Sequence, residues 1–137
     1  MMLGCLSVKP FYASKIYQGL KTIEFRTKVL PEGDYFIYSS APDKSVNCMC
    51  HINLIAGGEV NFVDDWHDSI FRSGCISPAD LKQYQGSKKS IFAHRISNVV
   101  KIKPALSIYD LMLNRPPQSW CYVNLSQVEV DELLKLE

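Results

Sequence analysis

The sequence predicts an α+β chain, a small mixed or antiparallel β-barrel with short peripheral helices. Three observations predict it. About five or six stretches alternate in polarity with the two-residue period of strands. Turn residues separate them, and the segments between open with Ser or Pro in helix-start patterns. The strands also follow one another too closely for a doubly wound parallel sheet, whose crossovers need a dozen or more residues each. A length of 137 residues, 47% of them hydrophobic and 21% charged, suits one domain over 1–137 with one core.

Leu3 to Val8 reads as the first strand. Pro10 then suits the first position of a helix, where its missing N–H would be unpaired anyway, and Phe11, Ile16 and Leu20 predict a short helix ending at Gly19. Lys21 to Lys28 alternates, with Ile23 and Phe25 on one face against Thr22, Glu24 and Arg26 on the other. Pro31 to Asp34 is a turn, Tyr35 to Ser39 a third strand, and Ala41 to Lys44 another turn. Ser45 to Ile55 alternates again, carrying Val46, Cys48, Cys50, Ile52 and Leu54 on one side, and Gly57-Gly58 closes it. Val60 to Gly74 is mixed, a short helix plus loop. Ser77-Pro78-Ala79-Asp80 starts a helix that should end near Gly86. Ser90 to Ile102 is a long strand, and Ser107 with Asp110 and Ser126 with Glu129 repeat the capping pattern and predict two more short helices. Val128, Val130, Leu133, Leu134 and Leu136 then give the chain's end an apolar face, expected to dock in cis.

The formal net charge is +1, so bulk charge does not suggest a polyanionic partner; such a function needs a local basic patch. No apolar run approaches the roughly 18 residues of a membrane span, and Met1 to Pro10 lacks the pattern of a signal peptide. The five cysteines are scattered at 5, 48, 50, 75 and 121, which argues against a disulfide framework and for a reducing, cytoplasmic setting.

One stretch carries most of the functional signal: Gly19-Leu20-Lys21-Thr22-Ile23-Glu24-Phe25-Arg26. It resembles the G-x-K-T-x-E-x-R signature of the ASCH family. The resemblance extends upstream to Leu6-Ser7-Val8-Lys9-Pro10 and downstream to Cys75-Ile76-Ser77-Pro78-Ala79-Asp80-Leu81. It recurs at Pro116-Pro117-Gln118-Ser119-Trp120-Cys121-Tyr122-Val123, which is similar to the ending of one subgroup. It implies a PUA-like barrel with a cleft lined by the first helix and the signature strand. It also implies RNA binding, modified-nucleoside hydrolysis or ribonuclease activity as the range of functions.

The residues themselves suit nucleic acid. Lys21 and Arg26 can contact phosphate oxygens, with Lys9 adding charge at the cleft mouth. Glu24 can accept from a base amino group or tie down its basic neighbours, and Thr22 offers a hydroxyl. Gln118 and Ser119 can read a base edge, while Trp120 and Tyr122 offer rings for unstacked bases. The competing reading is a salt-bridged polar strand face, with the two aromatics plugging the barrel end. Ser39 and Ser40 could line the cleft, but read first as the start of the turn at Pro42.

Cys48, Cys50 and His51 lack the paired spacing of a zinc site, and His67 among Asp64, Asp65 and Asp68 lacks the ligand spacing of a calcium loop, so no metal and no cofactor is expected. His94 reads as a packed histidine.

An RNA-binding module is the first expectation, with single-stranded or modified RNA as partner, DNA left open, and no membrane role. The second is a ribonuclease or nucleoside hydrolase at the same cleft, with Lys21 and Glu24 as its catalytic pair. Hydrolases of acetylcytidine in the family carry a Thr three positions after the signature Lys and a Glu before the second helix. Here Glu24 holds the first position, and Ser73, Gly74 and Cys75 supply no carboxylate for the second, which argues against that reaction. A non-catalytic protein-interaction domain is the third.

Overall fold

The computed structural model describes residues 2–59 and 68–135. Six strands form one mixed sheet: β1 (Met2–Val8), β2 (Ile23–Arg26), β3 (Gly33–Ser39), β4 (Ser45–Glu59), β5 (Ser90–Leu106) and β6 (Trp120–Tyr122). Their order is β2-β5-β4-β3-β1-β6, with β1 and β3 parallel and every other pair antiparallel. Four short helices decorate it: α1 (Pro10–Tyr17), α2 (Asp68–Ser73), α3 (Pro78–Gln85) and α4 (Gln127–Leu134), with a 3-10 turn at Ile108–Leu111.

Alternation decides which way each strand faces. Leu6, Val8, Tyr35 and Ile37 join Ile16 of α1 in one core, while Cys5, Phe36 and Tyr38 join Leu106, Leu111 and Val130 in a second core on the opposite face. β1 and β3 therefore bury both faces, which is why they read as nearly continuous apolar runs. A third core lies under α2 and α3, where Ile23 and Phe25 of β2 meet Phe71, Leu81, Ile91 and Ala93.

The helix starts follow local chemistry. Ser77 Oγ accepts from the Asp80 N–H, and Ser107 and Ser126 each complete a reciprocal capping box with Asp110 and Glu129. Gly19 stops α1 in the left-handed region at φ +78°, with open space around its α-carbon, so backbone freedom is what the position requires. Val130 is buried in the second core and α4 docks in cis, whereas Val128 is 70% exposed.

Two expectations need adjustment. β2 is four residues long, not eight: the Thr22 N–H turns aside to the Ser73 carbonyl although its own carbonyl still accepts from the Ile96 N–H of β5, and the pairing ends at Arg26 opposite Phe92. β4 and β5 run on to Glu59 and Leu106, past the predicted ends at Ile55 and Ile102, because each stays paired with the other across bulges. Among the described residues no backbone ladder joins β2 to β1 or β6. The sheet curls so that the Arg26 side chain spans the seam between β2 and β1, donating from Nη2 to the Ser7 carbonyl of β1 at 2.9 Å and from Nη1 to Ser119 Oγ at 3.3 Å.

Candidate functional site

The polar face of β2 turns inward. Ile23 and Phe25 occupy the third core, so Glu24 and Arg26 must point the other way, toward a cavity of about 930 Å³ bounded by the start of α1, by β2, by α3 and by the segment before β6. Lys9, Lys21, Glu24, Arg26 and Gln118 all line it. These five sequence candidates, drawn from three separate stretches, meet in one hollow.

Burial makes the charges at its floor interdependent. Lys21 is 3% exposed, and its ammonium donates to the Ile23 carbonyl at 2.7 Å and the Gly74 carbonyl at 2.6 Å and pairs with Glu24 Oε1 at 3.2 Å. Its three protons are thereby used, and the ring of Tyr12 lies 5.1 Å from the charge. Glu24 Oε2 accepts from Arg26 Nε at 3.0 Å and Nη2 at 2.6 Å. Burial alone would push the Glu24 carboxyl up, but Arg26 and then Lys21, by charge and hydrogen bond, hold it below the ordinary carboxylate range. A carboxylate so held is a weak base, and one with both oxygens occupied is poorly placed to take a proton from a substrate.

The backbone under this triad is held by His94. The imidazole is fully buried, Nε2 accepts from the Leu30 N–H at 2.9 Å, and Nδ1 lies 3.2 Å from the Glu24 carbonyl, to which it donates. That arrangement needs a neutral ring, and burial pushes the His94 pKa down. An unfolded chain takes up a proton at His94 as pH falls through the ordinary 6.5, while the folded chain does not. The stability from this site is therefore complete above that value and is lost as pH falls toward the depressed folded value, at up to about 1.4 kcal/mol per pH unit. Urea midpoints for wild type and His94→Gln across the acid range should show the flatter profile in the variant; parallel profiles would refute it.

Other sequence candidates sit elsewhere. Thr22 is exposed just ahead of β2 and does not line the cavity. Ser119 does not line the cavity; its hydroxyl meets Arg26 and its carbonyl accepts from the Ser7 N–H at 2.9 Å. Trp120 packs against the first core, edge-on to Tyr35 at 6.2 Å and to Tyr122 at 4.8 Å, and Tyr122 is 66% exposed, outside the cavity lining.

The structure adds wall residues that the sequence did not single out: Tyr12, Tyr38, Lys44, Asp80, Gln83 and Tyr84. Burial, then Asp80 and Glu24, pushes the Tyr12 phenol up, and burial does the same to Tyr38, so both are proton donors at neutral pH. Among the described residues neither Lys9 nor Lys44 forms an ion pair, and the Asp80 carboxylate has no hydrogen-bond partner. The lining holds four cationic side chains against two carboxylates, so the positive balance gathers here although the whole chain is only +1.

Among the described residues no group of His, Cys, Asp and Glu is placed to hold a metal, and no helix is long and apolar enough to cross a membrane. Burial pushes the Cys5 and Cys48 thiols up to about 12, as befits packing residues. The stretch from His67 back to Asp64 lies outside the described residues.

No family model and no curated protein sequence matches the chain. Solved structures do. The crystal structure of ASCH from Zymomonas mobilis superposes with a TM-score of 0.79 at 23% identity, over 98% of this chain and 95% of that one. The chain has the ASCH fold. Two single-substitution mutants of the same Zymomonas mobilis protein match equally well. One, a serine-to-alanine form, gives a TM-score of 0.79 at 22% identity over 98% of this chain and 96% of that one. The other, a tyrosine-to-phenylalanine form, gives 0.80 at 22% over 99% of each. Within the ASCH fold, the cavity described above lies between the seam of the curled sheet and α3.

Proposed function

We propose that this chain is an ASCH-family RNA-binding module and that the cavity between α1, β2 and α3 receives an unstacked base of single-stranded or modified RNA. The observation that carries the reading is the layering of the cavity. Tyr12 and Tyr84 supply accessible rings on its wall, Gln118 supplies an amide at the edge, and the unpaired ammoniums of Lys9 and Lys44 stand exposed at its mouth. Unstacked bases are held by aromatic faces and amide hydrogen bonds, and the phosphates they carry by nearby cations. Lys21, Glu24 and Arg26 then form the charged floor, already hydrogen-bonded to one another, which supports binding over proton transfer at Lys21 or Glu24.

The test uses the rim, because Lys9 and Lys44 can change without disturbing the buried triad. Affinity for labelled single-stranded RNA should fall steeply with salt. In Lys9→Ala/Lys44→Ala the slope of log K against log salt should drop by about 1.4, the release expected for two phosphate contacts, and binding at low salt should weaken about tenfold. No binding by wild type at low salt, or an unchanged slope in the variant, would overturn the reading.

A second reading, ribonuclease action at the same cleft, draws on Asp80, an unpartnered carboxylate close enough to Tyr12 to raise its pKa. A free carboxylate can activate a 2′-hydroxyl and a neutral phenol can protonate a leaving oxygen. Shortening of the RNA in the same assay, abolished by Asp80→Asn, would favour it. Acetate release from acetylcytidine is not expected, since Glu24 stands where those hydrolases carry the Thr, and the segment at Gly74 offers Lys21 a backbone carbonyl where they place a Glu.

A further inference from the structure

A second hollow of about 560 Å³ adjoins the first. The two share a wall made by Tyr12, Ile76 and Asp80. On the far side of that wall stand Phe11, whose ring is 59% exposed, and Arg72, which among the described residues has no ion-pair partner.

A large exposed aromatic on the first turn of a short helix is a poor choice for solubility alone. The surroundings of Phe11 suit a flat ligand. Its ring stands at right angles to that of Tyr12, at 5.1 Å and 84°, which braces Phe11 while most of the residue stays exposed. The ammonium of Lys15, on a flexible side chain, lies over the ring 5.4 Å from its centre, a cation that can swing to a phosphate when a base takes the ring face.

We infer that this groove holds the neighbouring nucleotide of the same RNA strand, its base stacked on Phe11 and its phosphate beside Arg72, so that the protein binds two consecutive nucleotides. The inference rests on the RNA reading of the first cavity. Stacking on an aromatic ring is sequence-tolerant, because every base has a π face, and the adjoining guanidinium supplies the phosphate contact. Asp80 on the shared wall repels phosphate but accepts a hydrogen bond from a ribose hydroxyl. The strand therefore crosses the wall with its sugar against Asp80 and its phosphate turned to Arg72.

The experiment compares a mononucleotide with a single-stranded RNA tetranucleotide on wild type, Phe11→Ala and Arg72→Gln, with thermal melts to check folding. Wild type should bind the tetranucleotide at least about tenfold more tightly than the mononucleotide. Phe11→Ala should lose about tenfold for the tetranucleotide, within the range of one base stack, and leave the mononucleotide unchanged. Arg72→Gln should lower the tetranucleotide salt slope by about 0.7. If the tetranucleotide binds no better than the mononucleotide, or both variants match wild type on the tetranucleotide, the second subsite is overturned and the first cavity keeps its assignment. If wild type binds neither RNA, the RNA reading itself falls and takes the second subsite with it.

Discussion

Glu24→Ala should destabilise the protein by about 3–5 kcal/mol, the loss typical of stripping one partner from a buried ion pair. The reason lies in what remains. Lys21 is 3% exposed and held by two carbonyls, so without the carboxylate its charge stays in the interior uncompensated. Arg26, whose side chain is 15% exposed, can turn partly to water and suffers less. The double variant Lys21→Met/Glu24→Ala removes the stranded charge and should recover much of the loss, giving a coupling energy of about 1–3 kcal/mol between the two positions. Urea unfolding of wild type, both single variants and the double variant measures it. A loss under about 1 kcal/mol for Glu24→Ala, or simple additivity, would mean that the triad is solvated rather than buried. The same triad predicts an acid limb. The folded carboxyl titrates below its ordinary 4.5, so its contribution is fully present above that value and disappears as pH falls through the depressed folded value.

Gly74→Ala should cost about 2–4 kcal/mol, from overpacking together with a weakened buried hydrogen bond. A β-carbon on Gly74 would stand 2.3 Å from Phe25 Cε2 and 3.1 Å from Cδ2. The ring cannot step aside freely, because Phe25 packs in the third core, stacked 6.4 Å from Phe71. The backbone must yield instead, and it carries the carbonyl that accepts from Lys21 at 2.6 Å. The substitution therefore loosens the core and the charged floor together. Thermal unfolding and RNA affinity should both fall, and loss of stability with RNA affinity unchanged would separate Gly74 from the site. Glycine matters here for closeness of approach, unlike Gly19, which matters for a left-handed turn.

The elements were legible where local rules decide them. Ser77, Ser107 and Ser126 each cap the helical turn that their spacing announced, and the chain turns at Gly19 because that backbone angle suits glycine. The alternation of Ile23 and Phe25 against Glu24 and Arg26 also held, but the sense of the two faces is not local. On a lone strand the charged face would be read as the outer one. Here α2 and α3 cover the apolar face while the charged face lines a cavity, so Glu24 is as buried as its apolar neighbours.

The sequence by itself determined the ASCH-type motif, the α+β class, the helix starts and the grouping of Lys21, Glu24 and Arg26, because propensity, capping and period act between residues a few positions apart. Only the tertiary structure decided which side chains share the hollow. Gly74 reaches Lys21 across 53 positions and Ser119 reaches Arg26 across 93. Lys44, Asp80 and Tyr84 join the wall, while Thr22 and Tyr122 fall outside it. The curl of a sheet and the seating of helices on it bring distant residues together through packing, and no short-range pattern in a chain records which of them will meet.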